Sequence, residues 1–180
     1  MSELERLVEC IHTIGFQCTR CGQCCQSVAH DPHLVMVSPR EIRSMMRGSG
    51  KEWDELVEPF PVFIDSSHES SYTFEWCMRR TGGHCSFVDR HQCLIYPVRP
   101  WICRTYPFML NGSQLEISEC LGLGKPMHPK AAFTLAVHLI QRRSEERIEE
   151  VLVKQNFDKM ELLPRTRYVI DGEGAKIINQ

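Results

Sequence analysis

Four thiols stand within eight residues in the stretch Cys18-Thr19-Arg20-Cys21-Gly22-Gln23-Cys24-Cys25, spaced C-x2-C-x2-C-C. A two-residue gap lets neighbouring thiolates turn toward one centre, at about 2.3 Å for a zinc–sulfur bond. Gly22 supplies the backbone freedom that such a tight turn needs. Three thiols at this spacing also open the C-x2-C-x2-C-x3-C-P run by which bacterial proteins hold a [4Fe–4S] cluster. The run departs from that pattern, since Cys25 follows Cys24 directly and no proline comes after it. Adjacent cysteines do not readily bind one metal atom. Cys25 therefore points to a second metal, or to another part of a cluster.

Four further thiols follow at Cys85, Cys93, Cys103 and Cys120. They lack C-x2-C spacing, so their sulfurs must come from several elements. Two groups of four could complete two tetrahedral zinc sites, or ligate one [4Fe–4S] cluster with four thiols left over. In either case the fold closes around metal, and metal binding contributes folding free energy. Cys10 and Cys77 stand outside the pattern, where a free cysteine is ordinarily a small buried hydrophobe. Four thiolates leave a net charge of −2 on Zn2+ or on an oxidised cluster. Arg99 and Arg104, beside Cys103, would offset that charge and donate to sulfur, or else hold a loop at the surface. Tyr96 and Tyr106 would donate more weakly. His30, Asp31 and His33 read as a solvated loop, because no second pair at matching spacing accompanies them.

Composition bounds the setting. A chain of 180 residues, 42% hydrophobic and 24% charged, fits one globular domain over 1–180. A net charge of −2 gives no polyanion-binding surface, so no nucleic-acid partner is expected. No apolar run approaches the roughly 20 residues of a membrane helix, and no membrane association is expected. The start, Met1 to Arg6, is polar rather than signal-like, which makes the cytoplasm the expected compartment. In a reducing compartment ten cysteines read as metal or redox chemistry rather than disulfides.

The elements that must position the thiols follow from pattern. Leu4, Leu7, Val8, Ile11 and Ile14 predict a helix over 3–14, capped by Ser2 and ended by Gly15. Ser38, Pro39 and Glu41 form a capping box for a second helix with Ile42, Met45 and Met46 inward and Gly48 as its stop. Trp53, Leu56 and Val57 predict a short third helix. Alternating Tyr72, Phe74 and Trp76 predict a half-buried strand. Gly82-Gly83 predicts a turn, followed by a strand pair, Cys85–Val88 with Cys93–Tyr96, and by a hairpin over 106–117 turning at Asn111-Gly112. Pro129 opens the longest helix, 129–157, with an apolar stripe of Phe133, Ala136, Val137, Ile140, Ile148, Val151 and Leu152. The tail, 161–180, reads as two short strands around Asp171-Gly172 or as loosely ordered chain.

These blocks together resemble the YkgJ-type cysteine-cluster proteins, a family of zinc- or iron-chelating domains. The residues that carry the resemblance are Phe16, Cys18, Cys21, Gly22, Cys24 and Cys25, then Gly83, Cys85 and Phe87. After them come Cys93, Ile95, Tyr96, Arg99, Pro100, Cys103, Arg104, Tyr106, Pro107 and Phe108, and last Cys120 before Gly122. The resemblance covers about 16–124 and implies a metal-binding core there. One branch of the family resembles the flagellin lysine-N-methylase, which implies a cluster-dependent enzyme acting on a protein side chain. No G-x-G-x-x-G follows a strand and no C-x3-C-x2-C is present, so neither cofactor signature supports that branch.

The expected architecture is α+β. An irregular cysteine-rich, metal-centred core of short strands is flanked by N-terminal helices and a long C-terminal helix. The expected function is zinc or iron binding, as ions or as a [4Fe–4S] cluster, through Cys18, Cys21, Cys24, Cys25, Cys85, Cys93, Cys103 and Cys120. The cluster-dependent enzyme with a protein substrate or partner is the alternative.

Overall fold

The computed structural model describes residues 1–26, 34–66 and 69–178. His30, Asp31 and His33 lie outside the described residues.

Helix α1 spans Glu3–Ile14 and begins with a full capping box. The Ser2 hydroxyl accepts the Glu5 N–H at 3.2 Å, and the Glu5 carboxylate accepts the Ser2 N–H at 2.6 Å. Ser38 and Glu41 repeat the device at the start of α2, Pro39–Ser49. Gly48 does not stop this helix. Gly50 does, taking the left-handed cap conformation at φ 70°. Gly48 is small for another reason, since a Cβ there would stand 2.2 Å from Val98 Cγ1. The third helix, α3, is the single turn Trp53–Leu56.

The predicted strand through Tyr72, Phe74 and Trp76 is broken in two. Glu75 takes φ 74°, a conformation that costs an L-residue energy and turns the chain out of its sheet. The halves, β4 (Ser71–Phe74) and β5 (Trp76–Met78), join different sheets. β5 is the centre of an antiparallel trio with β1 (Met36–Val37) and β2 (Val57–Pro59). β4 lies between β3 (Ile64–Asp65) and β12 (Arg167–Asp171), with β13 (Gly174–Ile177) outermost. The tail is therefore two strands, as the first of its two readings has it. Its first strand runs parallel to β4, with Val169 and Ile170 fully buried.

The expected pair Cys85–Val88 with Cys93–Tyr96 is replaced by two smaller hairpins. Arg80–Thr81 (β6) pairs with His84–Cys85 (β7) across Gly82-Gly83. Val88–Asp89 (β8) pairs with Gln92–Cys93 (β9) across Arg90-His91. Both of these turn residues have positive φ, as a two-residue hairpin turn requires. Tyr96–Val98 is a 3-10 turn instead of a strand, since Pro97 has no N–H to give a ladder. Next come α4 (Trp101–Thr105) and the expected hairpin, β10 (Phe108–Asn111) with β11 (Gln114–Ile117). The final helix, α5, runs Pro129–Phe157 with the predicted bounds.

The face that α5 buries shares Ala136 with the predicted stripe, has Ile140 at its edge and otherwise differs from it. Ala132, Leu135, Ala136 and Leu139 are buried against Leu7 and Ile11 of α1 and Phe108 of β10. Phe133, Ile148, Val151 and Leu152 are exposed. Two alanines on the buried face allow close helix approach, a signal that counting large apolar residues overlooks. Arg143 fastens the contact with a paired bond to Glu3 at 2.6 and 2.8 Å. That bond holds the Glu3 carboxyl below its ordinary range. A second core gathers Ile42, Met45, Leu56, Trp76, Phe87 and Val169. Mixed helices and short strands make the class α+β, as expected. No helix among the described residues is long and apolar enough to cross a membrane.

Candidate metal centre

The cysteine run is tied down at both ends. At its start, Phe16 forms an antiparallel bridge with Leu123. The Gln17 N–H donates to the Gly122 carbonyl at 3.0 Å, and the Gly124 N–H donates to the Gly15 carbonyl at 3.0 Å. Gly122 permits this approach, since a Cβ there would lie 2.3 Å from the Gln17 oxygen. Cys18 is thereby held beside Cys120. At the other end, Gln26 bridges His84, which sets Cys25 beside Cys85.

Between these ends Gly22, at φ 75°, turns the chain into a 3-10 turn, Gln23–Cys25. Only glycine takes this conformation without cost, the role foreseen for it. A Cβ on Gly22 would also stand 3.2 Å from His91 Nδ1. The β8–β9 hairpin that carries Cys93 therefore lies directly against the run. Backbone bonds from Ser86 to Arg79 (2.9 Å) and from Leu94 to Phe87 (2.8 Å) extend the two hairpins and fix Cys85 and Cys93 in their places. Cys103 comes from α4.

All eight thiols of the pattern line one cavity of about 460 Å³. Arg99, Arg104, Tyr96 and Tyr106 line it too. Cys10 and Cys77 do not take part. Cys10 is exposed on α1, and Cys77 is buried in β5. The Cys77 thiol faces the Glu58 carbonyl at 3.6 Å, and burial pushes it up to about 11.

Three of these sulfurs receive a backbone amide. Cys85 accepts the Phe87 N–H, Cys93 the Ile95 N–H and Cys120 the Gly122 N–H, the last at 3.5 Å. Each donor lies two residues beyond its cysteine. An amide aimed at sulfur stabilises thiolate over thiol and fixes the sulfur's direction. Burial opposes this and pushes all three thiols, and Cys103 most of all, above their ordinary range. Cys24 and Cys25 have their sulfurs 3.9 Å apart. The Cys25 thiol hydrogen-bonds the Cys24 sulfur and lowers Cys24 to about 7, while Cys25 itself is raised far above an ordinary thiol.

Arg99 is bonded to backbone carbonyls rather than to sulfur. Its guanidinium donates to the Tyr96 carbonyl at 2.7 Å and the Cys103 carbonyl at 3.3 Å, and stacks 3.7 Å from the Tyr96 ring centroid. It braces the loop while its charge favours the thiolates of Cys24, Cys93 and Cys103. Arg104 donates to the Arg99 carbonyl and lies 5.0 Å from the Trp101 ring centroid, a bracing position.

The cavity also takes Arg20, Met78, His91 and Arg142, which sequence reasoning left aside. Arg20 and His91 had a signal, since each lies within two residues of a cysteine. Arg142 had none. It sits in a charged helical stretch, yet it is only 7% exposed and donates to Thr105 Oγ1 at 3.1 Å and Glu146 Oε1 at 2.6 Å.

The thiols are gathered rather than closed. No three described His, Cys, Asp or Glu side chains converge as the ligands of a single ion. The donor set nonetheless fits a thiophilic metal, with eight cysteines lining one cavity, amides directed at sulfur and a cation nearby.

A family model described as "CxxCxxCC: Putative zinc- or iron-chelating domain" matches residues 17–121. Uncharacterized protein MJ0661 of Methanocaldococcus jannaschii is 27% identical over 103 residues, which cover 56% of this chain and 49% of that protein. The chain thus spans about half the length of that relative. No solved structure matches.

Proposed function

The chain belongs to the CxxCxxCC family of zinc- or iron-chelating domains, and from that premise we propose that it holds its metal through the eight thiolates of Cys18, Cys21, Cys24, Cys25, Cys85, Cys93, Cys103 and Cys120. One observation carries this reading: thiols from both ends of the matched region meet on one cavity. Eight is twice the number that closes a tetrahedral zinc site, and also enough for a cluster and a further ion. Arg99 offsets the charge of the thiolates, and the Phe87, Ile95 and Gly122 amides orient them. As zinc, the metal supplies folding free energy and no redox chemistry. As an iron–sulfur centre, it supplies an electron site tuned by those same donors. A reducing compartment, the cytoplasm, suits so many free thiols.

The test is elemental analysis with a visible absorption spectrum, on protein purified without oxygen. Zinc, or iron with sulfide, in stoichiometric amount is the expected result. A well-folded, metal-free protein that takes up neither on addition would overturn the proposal.

A further inference from the structure

The sequence arranges the thiols as two blocks, 18–25 and 85–120. The fold does not keep those blocks apart. The Phe16–Leu123 bridge and the Gln17–Gly122 hydrogen bond place the beginning of the run against the Cys120 segment. The Gln26–His84 bridge places its end against Cys85. The run is thus stretched between two anchors that belong to opposite ends of the second block.

We infer that the thiols divide across the blocks into two centres, one formed by Cys18, Cys21, Cys24 and Cys120 and the other by Cys25, Cys85, Cys93 and Cys103. This inference rests on the metal-binding reading above and adds to it the grouping of the ligands.

The anchors and the spacing agree on the division. The first anchor places Cys18 beside Cys120 and the second places Cys25 beside Cys85. Cys24 lies within electrostatic reach of Cys120 and equally of Cys85, Cys93 and Cys103, so its place is given by spacing alone. Cys18, Cys21 and Cys24 recur every third residue and turn toward one centre, with a remote cysteine as fourth ligand. Cys25 falls out of that period. The 3-10 turn directs it toward the hairpins, where the paired strands fix Cys85 and Cys93. The two shells meet at the Cys24–Cys25 pair, whose sulfurs are 3.9 Å apart. Both centres take a thiophilic metal. The first has the spacing of an iron–sulfur ligand set, and the second that of a scattered tetrathiolate.

The experiment loads the full chain with cadmium-113 and correlates each cadmium resonance with cysteine β-protons. Two resonances are expected, one coupled to Cys18, Cys21, Cys24 and Cys120, the other to Cys25, Cys85, Cys93 and Cys103. A resonance coupled to Cys18, Cys21, Cys24 and Cys25 together would overturn the division, as would a single centre. Serine variants supply the second readout, as zinc bound per chain by native mass spectrometry. Cys18→Ser with Cys120→Ser should lose one ion of two, and Cys93→Ser with Cys120→Ser should lose both. The reverse outcome would restore the grouping by block and leave metal binding itself intact. Wild-type protein that binds no metal would instead overturn the function on which the division rests.

Discussion

Gln17 donates its backbone N–H to the Gly122 carbonyl at 3.0 Å, and this one bond sets Cys18 beside Cys120 across most of the matched region. The contact depends on the missing side chain at Gly122, where a Cβ would meet the Gln17 oxygen at 2.3 Å and Phe16 Cε2 at 2.8 Å. Neither partner is the free end of a flexible chain. Gly122→Ala should therefore push the two segments apart, lower stability by about 1–3 kcal/mol and reduce the metal content. Gly112→Ala is the control. It stands in the β10–β11 turn at φ 60° with nothing within 4 Å, and should cost about 1–2 kcal/mol of strain with metal content unchanged. Thermal melts with metal analysis on both variants check this. A Gly122→Ala protein with its full metal complement would refute it.

The buried thiols give the metal-free protein a distinct pH response. Burial holds Cys85, Cys93 and Cys103 above the ordinary thiol range. A raised pKa means that the neutral form is favoured in the native state. The stability that these groups contribute is full below the unfolded value of about 8.5, and is lost as pH rises through the folded values. The melting temperature of the chelator-treated protein should therefore fall from about pH 8 to about pH 10. Cys77, at about 11 and outside the cavity, adds to the same trend. Metal must displace the cavity protons to bind, so its affinity rises with pH, and the gap between loaded and metal-free melting temperatures should widen. A metal-free protein whose melting temperature stays flat over this range would contradict the account.

What the sequence made legible was local. The Ser2 and Ser38 capping boxes, Pro129 as a helix start and the Gly22 turn each depend on a few neighbouring residues, and each stands where pattern placed it. The eight thiols were legible as a set because few other roles call for so many cysteines at such spacing. Their gathering was not, because it depends on the Phe16–Leu123 and Gln26–His84 bridges, which are long-range backbone contacts between residues of no special type. The strand break at Glu75 was hidden for a similar reason. A glutamate gives no warning of positive φ, and the break exists because its two halves find different partners. Arg142 looked like surface charge, and its burial follows from Thr105 on α4, a contact that helical periodicity does not encode.

The tail gives the last prediction. Asp171, at the end of β12, is 1% exposed and accepts the Trp76 indole N–H at 2.8 Å. Lys176 stands 2.9 Å from the same carboxylate oxygen. Trp76 opens β5, the strand that ends at Met78 on the cavity wall. The tail thus closes the core behind the cysteine-lined cavity rather than lining it. Asp171→Ala would leave the buried indole N–H without its acceptor and remove one of the two carboxylates paired with Lys176, a loss of about 2–3 kcal/mol for a hydrogen bond to a charged group. Asp171→Asn keeps an acceptor for the indole and should cost less. Neither variant touches a thiol, so both should bind metal in wild-type stoichiometry once folded. Ending the chain after Met160 removes Val169 and Ile170, both fully buried, and should prevent folding even with metal present. Chemical denaturation of the two point variants and circular dichroism of the shortened chain make the comparison. A shortened chain that folds with a wild-type melting temperature would show that the tail is dispensable to the core.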